Sequence, residues 1–80
     1  MSVNQFVKNF SKNVQYLRQK NDLTQAEMAA IIGISGSTLR RLETAHPDAR
    51  VHCVMLDRVC DHFGISADVM LRERLEKMDG

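Results

Sequence analysis

The sequence predicts an all-α fold of five helices, and three observations carry the prediction. Apolar residues recur at spacings of three and four in every long segment, and no segment alternates apolar with polar residues as a half-buried strand would. Each periodic segment is preceded by a Ser, Thr or polar start or followed by a Gly, the residues that open and close helices. There is one Pro, and Trp is absent. At 80 residues the chain has room for one small domain.

The first apolar series is Val3, Val7, Phe10, Val14 and Leu17, with Lys8, Lys12, Asn13 and Arg18 off the stripe. It predicts an amphipathic helix over 4–20 that stops near Asn21-Asp22. Thr24-Gln25-Ala26-Glu27 reads as a capping box opening a second helix, which carries Met28, Ala29, Ile31 and Ile32 and closes at Gly33. Ser35 caps a third helix, 36–44, with Leu39 and Leu42 inward and Arg40 and Arg41 outward. A loop over 45–51 holds Pro47. The fourth helix, 52–63, is expected to bury Cys53, Leu56, Val59, Cys60 and Phe63. Gly64 ends it, and Ser66 caps a fifth helix bearing Val69, Met70, Leu71, Leu75 and Met78.

Composition excludes several classes of function. The longest unbroken apolar run, Ala29–Ile32, is far short of the roughly 20 residues of a membrane span. The N-terminal residues Met1-Ser2-Val3-Asn4-Gln5 have no charged start followed by an apolar block, so a cytoplasmic location is expected. Aromatics make up 5% of the chain, too few for a platform that stacks single-stranded bases. Lys+Arg and Asp+Glu nearly balance, leaving +1. Residues 1–42 nonetheless carry +4 and residues 43–80 carry −3, so the total conceals a polar distribution.

The segment Gln25 to Thr44 has the marks of a helix-turn-helix: two short helices, a Gly at the turn, a small residue (Ala29) at their crossing, and aliphatic faces from Met28, Ile32, Ile34, Leu39 and Leu42. The runs Leu23–Ala29 and Gly33–Glu43 resemble the phage Cro and repressor (XRE-type) family. So does Leu56–Ser66, with Cys60 in a slot usually held by Ala. The chain departs from that family at Thr44-Ala45, where Asn-Gly is common, and in a slightly longer 45–51 loop. The resemblance spans about Phe10 to Leu71, with 72–80 as helix end and tail. It implies a five-helix, lambda-repressor-like domain, acting as a homodimer on a palindromic double-stranded DNA operator.

On that reading the outward face of the third helix meets base edges in the major groove through Gly36, Ser37, Arg40 and Arg41. Arg41 lies one turn after Ser37 and can fork onto guanine O6 and N7; Arg40 can do the same or hold a phosphate. Gln25, at the start of the second helix, resembles the family's phosphate anchor, and Thr38, Lys20 and Arg50 are further phosphate candidates. The family ties its first helix to its third by an Arg–Glu ion pair, which here would be Arg18 with Glu43. Met70, Leu71, Leu75 and Met78 exceed what one small core needs and form the candidate dimer surface, the alternative being that they complete the monomer.

His46, His52, Cys53, Cys60 and His62 could be mistaken for a metal site, but Cys53 and Cys60 stand about 10 Å apart along one helix. One zinc takes its sulfurs at about 2.3 Å, so both cannot ligate it. No cofactor, metal, small-molecule effector or catalytic residue is expected. Within the regulator class a Cro-like repressor, a restriction–modification controller and an antitoxin-like regulator remain open. From another class, so does a protein-binding adaptor that has kept the fold without binding DNA.

Overall fold

The computed structural model describes residues 3–44, 46 and 49–78. Its elements are α1 (Val3–Lys20), α2 (Gln25–Ile32), α3 (Gly36–Glu43), α4 (Cys53–Phe63), α5 (Ala67–Arg72) and α6 (Leu75–Met78). Among the described residues the fold is all-α, with six helices where the sequence predicts five. Helix α1 lies along α3, α5 and α6, while α2 packs on α3 and α4.

Local sequence explains most boundaries. Helix α1 ends where Asp22 takes a positive φ of 53°, and the Leu23 N–H reaches back to the Arg18 carbonyl at 2.9 Å. Thr24 and Glu27 form the expected capping box: Thr24 Oγ1 accepts from the Glu27 N–H at 3.1 Å, and the Glu27 carboxylate accepts from the Thr24 N–H at 2.9 Å. Ser35 and Ser66 cap α3 and α5 through the Thr38 and Val69 N–H groups.

Phe10, Val14, Met28, Ile32, Leu39, Leu42, Val59 and Met70 form the centre of the core, with Leu17, Ala29, Met55 and Leu75 beside them. On α4 the inward residues are Met55 and Val59, one turn apart. Cys53, expected inside, is exposed because it sits at the first residue of the helix, and Leu56, Cys60 and Phe63 are only half-buried.

The C-terminal segment corrects the sequence reading most. The expected fifth helix breaks at Glu73, whose backbone is extended (φ −113°, ψ 165°). Asn13 of α1, 1% exposed, bridges the break. Its Nδ2 donates to the Met70 carbonyl at 2.9 Å and the Glu73 carbonyl at 2.8 Å, and its Oδ1 accepts from the Leu75 N–H at 2.9 Å. Asn9 adds a donation to the Leu71 carbonyl at 2.7 Å and accepts from Arg74 Nε at 2.8 Å. The chain therefore turns back onto α1 and buries Leu75, so 75–78 are not a tail. Met70 and Leu75, expected on a dimer surface, are 0% and 9% exposed and belong to the monomer's own core. Leu71 is half-buried, and Met78 is 61% exposed.

Candidate nucleic-acid interface

The two-helix unit is fixed at its turn, along its inner face and at its far end. At the turn Gly33 has φ +83°, where a side chain would be strained, and the Arg58 guanidinium lies so close that a Cβ would come within 3.1 Å of Nη1. Along the inner face Leu39 and Leu42 are buried at 0% and 1%. At the far end Arg18 and Glu43 meet in a bidentate pair, Nε–Oε2 at 2.8 Å and Nη2–Oε1 at 3.1 Å. Arg18 Nη1 also donates to the Leu23 carbonyl at 3.3 Å. With side-chain exposures of 17% and 4%, the pair is well shielded from water and holds α1 to the end of α3.

The outer face of α3 carries what this clamp orients. Gly36, Ser37, Arg40 and Arg41 are all exposed, as is Thr44 at the helix end. A Cβ on Gly36 would meet nothing within 4 Å. Thr44 Oγ1 turns back to the Arg40 and Arg41 carbonyls at 3.0 and 3.1 Å, closing the helix that lacks Asn-Gly. Ser37 Oγ lies 3.2 Å from Ser35 Oγ, so its hydroxyl shares the cap of α3.

The expected phosphate contacts are placed differently from one another. Gln25, half-buried at the first residue of α2, donates from Nε2 to Glu43 Oε1 at 3.3 Å and so joins the α1–α3 clamp. Thr38 Oγ1 is 2.8 Å from Ser35 Oγ, inside the α3 cap. Lys20 sits over the Tyr16 ring, 5.7 Å from its centroid. Arg50 Nη1 donates to the Ala49 carbonyl at 3.2 Å. A cleft of about 350 Å³ between α3 and α4 gathers Ser35, Thr38, Arg41, Arg50 and His52. His52 enters the sequence reading only among the residues weighed for a metal, and the fold sets it in this cleft with Arg41, a juxtaposition of residues eleven apart that no local signal announces.

The capping box also has an electrostatic consequence. The N–H and then the hydroxyl of Thr24 hold the Glu27 carboxyl below its ordinary value, as a hydrogen-bonded carboxylate at a helix N-terminus should be. On α4, burial and then the charge of Asp57 push the Cys60 thiol upward, which leaves it a poor nucleophile.

Two short helices crossing at a glycine turn, the second clamped from behind and exposed with paired arginines in front, define a DNA-binding helix-turn-helix domain. A model of the helix-turn-helix family matches residues 14–69, and the chain belongs to that family, in its XRE-type branch. The family is one of regulatory DNA-binding proteins and not of enzymes. The chain is 40% identical over 55 residues to the antitoxin PezA of Streptococcus pneumoniae serotype 4 (strain ATCC BAA-334 / TIGR4), covering 69% of this chain. It spans about a third of that antitoxin's length, 34%. No solved structure matches. Among the described residues, no helix is long and apolar enough to cross a membrane.

Proposed function

We propose that this chain is a sequence-specific transcriptional regulator, a repressor of Cro-like type, that binds a palindromic operator as a homodimer with α3 in the major groove. The observation that carries the reading is the outer face of α3, where Ser37, Arg40 and Arg41 stand exposed on a helix held by buried leucines and the Arg18–Glu43 pair. Arg41 reads a guanine, Arg40 reads a base or holds a phosphate, and Gly36 lets the backbone approach. Arg50 and Thr38 hold the adjoining strand. Dimerisation sets two half-sites roughly 34–36 Å apart. Met70 and Leu75 are committed to the core, so of the expected surface the dimer keeps exposed Met78 and half-buried Leu71.

The test is titration against the DNA upstream of the chain's own gene at several salt concentrations, for the wild type and for Arg41→Ala. Losing a bidentate guanine contact costs about 1–3 kcal/mol, roughly a five- to 150-fold loss of specific affinity for each half-site bound. Weak binding that ignores both sequence and Arg41 refutes the reading. Sedimentation of Met78→Asp checks the dimer, since an unchanged dimer removes that surface.

The likeness to an antitoxin favours a second reading, in which the domain is the DNA-binding part of an antitoxin. Growth arrest by an adjacent gene product, relieved only when this chain is co-expressed, would distinguish it from a solitary repressor.

A further inference from the structure

The charged and titratable side chains lining the cleft between α3 and α4 are Arg41 of α3, Arg50 of the loop and His52 at the start of α4. Beside it runs a larger groove of about 910 Å³ that shares Ala49, Arg50 and His52. Its further titratable lining is Lys8 from α1, His46 from the loop and Cys53 from α4. Among the described residues neither wall contributes a carboxylate. In a chain whose formal charge is only +1, this is a local concentration of positive charge, and it opens beside the residue proposed to read bases.

His52 stands where the two hollows meet. It is the N-cap residue of α4, yet its side chain makes no capping hydrogen bond, its backbone is extended (φ −95°, ψ 149°) and it is exposed. The imidazole is therefore not committed to its own helix. Histidine is the side chain whose charge changes between about pH 5 and 8. Arg41 and Arg50 flank His52 in the cleft. A phosphate laid against them reverses the local field and favours the imidazolium.

We propose that His52 is a phosphate contact of the DNA-bound protein and that DNA binding takes up a proton there. The inference rests on the DNA-binding reading of α3 and adds to it a specific residue and a pH linkage. A ligand that prefers the protonated protein binds it more tightly at low pH, so affinity falls as pH rises. The imidazolium neutralises one more phosphate than the imidazole, and each neutralised phosphate steepens the dependence of log affinity on log salt by about 0.9.

Fluorescence anisotropy with the upstream duplex, from about pH 5.5 to 8 and from roughly 50 to 200 mM salt, tests this. For the wild type the slope is expected to be steeper by about 0.9 per bound protomer at the acid end. In His52→Gln the pH dependence should vanish while Arg41-dependent sequence preference remains. His46→Gln and His62→Gln should behave as the wild type. Specific binding whose salt slope ignores pH overturns the inference and leaves the regulator reading intact, as does a pH dependence that survives in His52→Gln. An absence of DNA binding at every pH overturns both.

Discussion

Replacing Asn13 by Leu, which keeps a similar volume, removes three hydrogen bonds at once. It strips partners from the Met70 carbonyl, the Glu73 carbonyl and the Leu75 N–H. A buried backbone group left without a partner costs about 1–3 kcal/mol. The bond to Glu73 is only partly buried and Glu73 is an exposed residue, so water can replace that partner. The other two bonds are buried, which makes the expected loss about 2–6 kcal/mol. A domain of this size has a total stability of about 4–12 kcal/mol, so the variant sits near the threshold of folding. Urea denaturation followed by circular dichroism at the helical band measures the difference. Ser11→Ala is the matched control on the same helix: Ser11 is 1% exposed, its Oγ has no partner among the described residues, and losing the hydroxyl should leave stability unchanged or raised. An Asn13→Leu loss below about 1 kcal/mol, or no larger than that of Ser11→Ala, refutes the claim that Asn13 holds the C-terminal segment in place.

Three further outcomes are expected. Arg18→Met leaves the Glu43 carboxylate buried with Gln25 as its remaining donor among the described residues, at a cost of about 3–5 kcal/mol, and adding Glu43→Leu should recover most of it in the same assay; a double variant no more stable than the single refutes an ionic clamp. The Glu27 carboxyl is held below its ordinary 4.5, so its capping contribution is complete above that value and is lost as pH falls through the lowered one. Glu27→Gln should accordingly lose less stability than the wild type on acidification below about pH 4.5, by thermal melts across the acid range. A chromogenic disulfide reagent should modify exposed Cys53 before Cys60, whose thiol is pushed up by burial and Asp57, and Cys53→Ser should remove the fast phase; a fast phase that persists refutes the assignment.

The first five helices were legible because their signals are local. Caps, turn glycines and apolar spacings act within a few residues, and Thr24, Glu27, Gly33, Ser35, Gly64 and Ser66 behave as their types predict. The break between α5 and α6 was not legible, since Asn13 imposes it across 57–62 residues of chain. Periodicity placed Asn13 off the apolar stripe. In the fold α1 packs against α3 on one side and α5 and α6 on another, so its buried arc is wider than the stripe and takes in Asn9, Ser11 and Asn13. Cys53 failed for the opposite reason: the inward turn of α4 begins at Met55, and Cys53 at the helix end lies beyond it. At the site, the exposure of Arg40 and Arg41 followed from burying Leu39 and Leu42 on the same helix. The competing bonds of Gln25 and Thr38 could not be read, because they depend on how two caps and a clamp meet in space.

Division of the chain by position gave a basic first part and an acidic second part, and the fold cuts across that division. Arg50 and His52 belong to the part with a net charge of −3, yet they share a cleft with Arg41 from the part with +4. The positive face is thus assembled by the return of the chain from α3 into α4. Its strength depends on Arg50 and His52 as much as on α3 itself. The inward groups of α3 (Leu39, Leu42 and Glu43) are fixed by the core and by Arg18, so they set which way Arg40 and Arg41 point without supplying any charge to the face. Stability and the proposed recognition therefore reside on opposite sides of one eight-residue helix. Loss of the Arg18–Glu43 clamp should weaken DNA binding through misorientation, whereas loss of Arg41 should weaken it with the melting temperature unchanged.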